Sequence, residues 1–323
     1  MRALALISGG LDSLLAVCLM REQGIEVTGI KFKIPFCPRS AGPPFTCGIE
    51  VKEVDIGADF LNLIRSPRYG FGAQMNPCID CKILMFAKAG ELFTALGASF
   101  AVTGEVLGQR PMSQHRQALL LTSRRAGLEG LVLRPLSAQL LPETVPEKEG
   151  WVARDRLLGL SGRARKAQFA LAEKFGIRQY AQPAGGCLLT DPGFARRLHD
   201  LCRHQGLNLD NVELLKSGRH FRLSDQAKLA VGRNETENNA LLGLARAGDY
   251  LLLPDENSAG PAALGRGEFS RGLLRLAAGI VLRYCDKDGK RPIKISCRKL
   301  PGAAEHEIEP LPLAEEKISE LRI

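Results

Sequence analysis

The sequence contains no run of roughly 18 or more apolar residues, so it offers no candidate for a membrane-spanning helix. It also lacks the marks of a secretory signal. Its apolar start, MRALALISGGLDS, passes straight into a glycine turn without a small-residue cleavage pattern, and it reads as a buried first strand. These two absences make the cytoplasm the expected location, with no membrane partner. The nine cysteines are an odd number, which argues against a disulfide framework and for thiols that bind metal or do redox chemistry. A second C-x-x-C and an H-x-x-x-H are missing, so a zinc site of the standard kind has no second pair of ligands. The Walker spacing G-x-x-x-x-G-K-[ST] and its lysine are missing too. No internal repeat is evident.

What remains is ordinary in bulk and uneven in detail. The chain has 323 residues, 45% hydrophobic and 24% charged, enough for one large domain or two ordinary ones. Net charge is +9 and the pI is about 9.2. Residues 151–203 hold ten Arg or Lys against four Asp or Glu, which is +6 of the total. A local basic field of this kind suits a polyanion such as RNA.

Along the chain, ALALIS (3–8) is a short apolar run ending in a glycine turn. LDSLLAVCLMREQG (11–24) has helical periodicity, and VTGIKFKI (27–34) is β-branched. Strand, glycine turn, helix and strand make a βαβ unit and predict a parallel sheet. Residues 35–48 read as a Pro- and Gly-rich loop, VKEVDIG (51–57) as a strand, 82–97 as a helix and SFAVTGE (99–105) as another strand. A further strand is expected within 128–137, and two basic helices within 151–176, broken near Ser161-Gly162. PAGGC (183–187) reads as a turn before a helix at 191–204. After about residue 206 the pattern changes to short strands around helices at 236–247 and 268–283. A domain boundary is therefore expected near 205, giving domains 1–205 and 206–323.

Ser8-Gly9-Gly10-Leu11-Asp12-Ser13 lies between the first strand and the first helix. Glycines let the backbone turn sharply and approach a ligand closely. The following helix aims free amides and its positive end into the same space. A pyrophosphate fits there, with the Ser8 and Ser13 hydroxyls adding hydrogen bonds. Asp12 cannot favour a phosphate directly, so a Mg2+ ligand is its expected task. The bland alternative is a Gly-Gly turn with a helix cap.

Cys78-Ile-Asp-Cys81 is a C-x-x-C before a predicted helix, whose N-terminal field would favour a Cys81 thiolate. Cys187, beside Gly185 and Gly186, is the best third member. Three such cysteines can hold three irons of a [4Fe-4S] cluster and leave one iron open for sulfide. Alternatively, Cys187 carries a persulfide that Cys78 or Cys81 resolves as a disulfide. A plain structural role also stays open. Cys18 reads as core, and Cys37 and Cys47 as loop cysteines at the ends of the Pro-rich stretch.

SGGLDS resembles the signature of the PP-loop ATP pyrophosphatases, which cleave ATP to AMP and pyrophosphate. The runs Pro77 to Lys82, Thr103 to Gln109 with Ser113-Gln114, and Arg134-Pro135-Leu136 resemble the catalytic domain of the tRNA 4-thiouridine synthases (ThiI). The cysteine pattern is similar, less closely, to the cluster-dependent tRNA thiolases of the TtuA type. The resemblance spans roughly residues 1–190. It implies an α/β fold with a parallel sheet of the adenine nucleotide alpha hydrolase type, followed by a smaller α+β domain. It further implies ATP, Mg2+ and tRNA as ligands and AMP-forming tRNA uridine thiolation as the activity. Gly104, Gln109 and Ser113 would line the ATP and target-base cleft, and Lys82 would sit close to the cysteines.

Two departures from that family matter. Its usual members carry an RNA-binding THUMP region ahead of the loop, which here begins at residue 8, and some carry a C-terminal rhodanese domain that 206–323 do not resemble. The expected sulfur route therefore moves from a carried persulfide toward free sulfide and a cluster; the donor is sulfide or sulfur from a cysteine desulfurase. Lys216 to Phe221 and Val231 to Asn238 weakly resemble the RNA-binding NFACT-R domain. Arg219, His220, Phe221 and Arg233 are then candidates to contact phosphate and stack on a base, as are Arg154, Arg163, Arg165 and Lys166 in the basic stretch. Solvated arginines are the bland alternative. A homodimer is compatible with the sequence. PP-loop chemistry on a small molecule stays open as a rival activity.

Overall fold

The structure is a computed structural model that describes residues 1–37, 47–181, 187–204, 206–256, 258–286, 292–302 and 305–323. Most of the expected Pro-rich loop and the turn residues Pro183 to Gly186 lie outside the described residues. The chain divides into two compact units, Met1–Leu188 and Leu189–Ile323.

In the first unit, strands β1 (Arg2–Leu6), β2 (Glu26–Lys33), β3 (Val51–Asp55), β4 (Phe100–Thr103) and β5 (Val132–Leu133) pair in the order β3-β2-β1-β4-β5. All described pairings in this sheet are parallel. The expected α/β class with a parallel sheet is borne out. Helix α1 (Leu11–Glu22) is buried nearly all round, which is why its sequence carries Leu11, Leu14, Leu15 and Val17 with few polar breaks. Further along come α2 (Gly57–Arg65), α3 (Cys78–Glu91), α4 (Phe93–Leu96), α5 (Arg116–Arg125), α6 (Val145–Lys148) and α7 (Lys166–Lys174). From β1 the chain builds outward through β2 and β3, then returns to the other side of β1 as β4. The strand order thus reverses between β1 and β4. In open parallel sheets the crevice at such a reversal, outside the carboxyl ends of the strands, is where ligands bind.

The region 128–176 departs from expectation. Only Val132–Leu133 form a strand, and of the two expected helices only α7 is an α-helix; residues 154–156 make one 3-10 turn. The reason lies in the backbone of 157–160. Leu158 N–H donates to Pro135 O at 2.9 Å and Leu160 N–H to Leu136 O at 2.8 Å, so this segment lies along the residues after β5 instead of coiling on itself.

The second unit begins upstream of the boundary expected near 205. Helix α8 (Pro192–His204) buries Phe194, Leu198 and Leu201, and its Asp200 pairs with Arg222 at 2.6 Å and Lys228 at 3.4 Å, both in this unit. Beyond it lie α9 (Leu209–Leu214), β6 (Arg219–Ser224), β7 (Ala227–Val231), α10 (Glu235–Gly243), β8 (Tyr250–Pro254), β9 (Ala263–Gly267), α11 (Arg271–Arg283), β10 (Ile295–Lys299), β11 (Glu305–Ile308) and α12 (Glu315–Leu321). The strands form an antiparallel sheet in the order β11-β10-β8-β9-β7-β6. Every residue of β7 is buried, so the sheet is covered on both faces there.

Candidate active site

The crevice between β1 and β4 is lined by the two turns that leave those strands. After β1, Gly9 turns with φ 77° and Gly10 starts α1. Ser13 Oγ donates to Gly10 O at 2.7 Å, and Gly10 N–H to Ser8 Oγ at 3.3 Å, which folds Ser8 through Ser13 into a tight loop. After β4, Gly104 presses on that loop. A Cβ at Gly104 would stand 2.3 Å from Asp12 C and 2.4 Å from both Asp12 O and Ser13 N, so only glycine fits. Gln109, five residues on, donates through Nε2 to Asp12 Oδ2 at 2.9 Å. The structure therefore brings Ser8, Gly9, Gly10, Asp12, Ser13, Gly104 and Gln109 together. Ser113 and Gln114 are buried behind the second turn, where Gln114 O accepts from Gly108 N–H at 2.7 Å.

Next to Gly104, Glu105 is 2% exposed and carries its charge between two cations. Arg134 donates to it through Nε at 3.0 Å, and Lys82 Nζ lies 3.5 Å away. Both cations also flank the Phe86 ring, at 5.8 Å and 6.0 Å. One buried carboxylate thus joins the T-G-E, R-P-L and C-x-x-C-K runs. Residue Lys82 directly follows Cys81, so the Ser8–Ser13 loop and the cysteine helix are linked through Glu105.

The C-x-x-C occupies the first turn of α3 rather than preceding it, with Cys81 N–H bonded to Pro77 O at 2.8 Å. Asn76 donates to Cys78 Sγ at 3.1 Å. Asp80, between the cysteines, accepts from the amides of Arg68 and Tyr69 at 3.1 Å and 2.9 Å, which clips the preceding loop to the helix. Burial pushes the Cys81 thiol up to about 12, against the pull of Lys82 and with help from Cys187, Cys78 and Cys37. The thiolate expected from the helix end is therefore outweighed by desolvation. Cys187 does come to the pair. Cys37 does as well, and sequence reasoning missed it. Leu188 N–H donates to Phe36 O at 2.8 Å, which sets Cys187 and Cys37 each one residue from a shared bond. No spacing rule signals a bond between the segments that carry positions 37 and 187. Cys47 instead meets Cys18, sulfur to sulfur at 3.6 Å. Among the described residues, no group of three or more His, Cys, Asp or Glu is arranged to hold a metal ion.

Residues 218–322 match the NFACT protein RNA binding domain. The chain is 34% identical over 119 residues to the "tRNA-specific 2-thiouridylase MnmA" of Pelobacter propionicus, covering 32% of this chain and 33% of that one. It is 31% identical over 112 residues to the "Probable tRNA sulfurtransferase" of Methanosarcina acetivorans, covering 32% of this chain and 27% of that one. The chain thus spans about a third of the length of the curated relatives it matches. Among solved structures, a 4-thiouridine synthetase–RNA complex with bound ATP aligns at TM-score 0.37 and 18% identity, over 67% of this chain and 52% of that one. No helix of the described residues is long and apolar enough to cross a membrane.

The candidate RNA contacts fare unevenly. His220 is 1% exposed and Phe221 0%, so neither reaches a phosphate or a base. The covered sheet explains it: Phe221 packs in a core with Val281 and Ile318, while His220 Nε2 bonds Ser217 O at 2.9 Å. Burial, then the charges of Lys228 and Arg197, pushes His220 well below its ordinary range. Arg219 lies 4.4 Å over Tyr284 and bonds Gly232 O, and Arg233 pairs with Glu237. Arg154 pairs with Glu147 and bonds Leu141 O at 3.0 Å, a structural use of its charge. Arg163 and Lys166 are exposed. Arg165 instead turns inward, 3.6 Å from Asp12 Oδ1.

Proposed function

We propose that this chain is an AMP-forming tRNA thiouridine synthase: it activates a tRNA uridine with ATP and delivers sulfur to it. The observation that carries this reading is Glu105, which joins the turn pressed on Asp12 to the lysine following Cys81. Nucleotide loop and thiols are then parts of one site. A uridine carbonyl oxygen attacks the α-phosphorus, and pyrophosphate leaves with the electrons of the α–β bridge. Loop amides and the Ser8 and Ser13 hydroxyls hold the departing charge. Sulfur then attacks the ring carbon, and AMP leaves with the carbon–oxygen pair. Asp12, whose Oδ1 is buried without a hydrogen-bond partner, would hold Mg2+, which supplies charge neutralisation at the phosphates. The RNA binding domain match and the basic stretch support tRNA as the substrate.

Cys78, Cys81 and Cys187 would hold a [4Fe-4S] cluster. The donor set is thiol in chemistry, since Asp80 is committed to backbone amides and Asn76 donates to one sulfur, but the three cysteines are not gathered into a metal-holding group in this structure. Such a cluster supplies an iron able to carry sulfide. Anaerobic purification with an absorption spectrum and iron count tests this. Colourless, iron-free protein that still thiolates tRNA overturns the cluster, and no pyrophosphate release from ATP with tRNA and sulfide overturns the activity.

One observation favours a second route. The Leu188–Phe36 bond ties together the segments that carry Cys187 and Cys37, and both cysteines act on Cys81. The terminal sulfur of a Cys187 persulfide would attack the activated carbon; Cys37 thiolate would then attack the inner sulfur, giving a Cys37–Cys187 disulfide and thiouridine. A thiol reductant resets the pair. A Cys37–Cys187 peptide after one turnover is the mark of that route.

A further inference from the structure

The nucleotide loop faces a group of polar atoms with nothing to bond. Among the described residues, Asp12 Oδ1, Gln109 Oε1 and Arg165 Nε are all buried without a hydrogen-bond partner. They belong to side chains that meet: Gln109 bonds Asp12 Oδ2 at 2.9 Å, and the Arg165 guanidinium stands 3.6 Å from Asp12 Oδ1. At 3.6 Å the ion pair is not also a hydrogen bond. Folded proteins leave few buried polar atoms unmatched, and a cluster of them marks a place completed by something else.

Arg165 is held at this place. Gly162 N–H donates to Leu107 O at 2.7 Å, and Ser161 bridges Leu107, so the segment leading to Arg165 is pinned to the turn that carries Gln109. Phe169, one helical turn on, lies 5.3 Å from the guanidinium centre. Pinned from one side and stacked on the other, Arg165 has lost the freedom of a surface arm. Its neighbours Arg163 and Lys166 remain exposed. A guanidinium offers several N–H donors in a flat fork that suits phosphate oxygens. A triphosphate also carries more negative charge than the single carboxylate that Arg165 now meets.

We propose that Arg165 is a ligand of the nucleotide polyphosphate: it pairs with Asp12 in this structure and turns its donors to the β-phosphate oxygens when ATP binds, neutralising the pyrophosphate as it leaves. This inference rests on the ATP-dependent reading above and reassigns Arg165 from RNA to ATP.

The test is calorimetric binding of ATP, pyrophosphate and adenosine to the full chain and to Arg165→Met and Arg165→Lys, with tRNA affinity measured beside them. Loss of charge-assisted hydrogen bonds should weaken ATP and pyrophosphate binding about 10-fold to 100-fold in Arg165→Met. Arg165→Lys should recover part of the loss. Adenosine affinity should match the wild type, which shows the site is folded. In steady state, kcat should fall with kcat/KM, because the contact strengthens as charge develops on the leaving group. Wild-type ATP affinity in Arg165→Met, with tRNA affinity lost, overturns the proposal and returns Arg165 to RNA. A wild-type chain that binds neither ATP nor pyrophosphate overturns the ATP reading itself, a result distinct from an Arg165 effect.

Discussion

Replacing Gly104 with alanine adds one methyl group at the tightest point of the site. That carbon would fall 2.3 Å from Asp12 C and 2.4 Å from Asp12 O and Ser13 N. Ordinary carbon contacts begin near 3.5 Å, so the overlap is a little over an ångström. All three obstructing atoms are backbone and cannot rotate away. Relief requires β4 and the loop at the start of α1 to separate, which overpacking studies place at about 1–3 kcal/mol. At about 2–4 °C per kcal/mol for a unit of this size, Tm should fall by about 2–12 °C. The displaced loop should also bind ATP more weakly, since Asp12 and Ser13 move with it. Differential scanning calorimetry and ATP titration read both effects. Gly243→Ala is the control: nothing stands within 4 Å of a Cβ there, so it should be neutral or slightly stabilising. A Gly104→Ala protein with unchanged Tm and ATP affinity would refute the close-approach argument.

Arg134→Met should cost about 3–5 kcal/mol, because it leaves the buried Glu105 carboxylate with only the more distant Lys82; adding Glu105→Gln should recover stability in denaturant titration, and no recovery would count against the pair. Asp200→Asn should destabilise the second unit by about 3–5 kcal/mol at pH 7 by stranding buried Lys228, and by less above pH 8. The pH dependence follows from Lys228, whose burial lowers it to about 8, so that it sheds its charge as pH rises. His220 gives the opposite window. Its buried ring stays neutral below the ordinary 6.5 while the unfolded ring takes a proton, so stability should fall as pH drops below 6.5. The slope from this residue is up to about 1.4 kcal/mol per pH unit, and it should vanish in His220→Gln.

The nucleotide loop is legible in the sequence because its determinants are local. An apolar run, two glycines and the start of an apolar helix lie within a dozen or so residues, and each constrains its neighbour. The T-G-E run is legible as part of the cleft only through its resemblance to the tRNA 4-thiouridine synthases. Arg165 is different. Its helix period marks it as one basic residue among several, and only the Gly162–Leu107 bond turns it toward Asp12. The basic helix expected before Ser161 fails for a related reason: Leu158 and Leu160 spend their amides on Pro135 and Leu136, partners more than twenty residues away. His220 and Phe221 mislead because the NFACT-R resemblance that suggests them carries no information on burial, and helices cover both faces of that sheet. The start of the second unit at Leu189 was hidden likewise, since Asp200 finds Arg222 and Lys228 only in the folded chain.

The bond between Leu188 and Phe36 also orders the site in time. Synthesis delivers Ser8 through Ser13 and β1 first, Cys78 and Cys81 next, and Cys187 last. Domains fold from the N-terminus as they emerge, and contacts that close long loops form late. A nascent chain stopped at Tyr180 already owns its nucleotide loop, both turns of the crevice and the C-x-x-C, yet it has no residue to answer Phe36 O. The thiols of Cys37, Cys81 and Cys187 therefore gather only when the first unit is complete. Under the thiolation proposed above, a half-made chain would have no complete set of thiols with which to capture metal or sulfur.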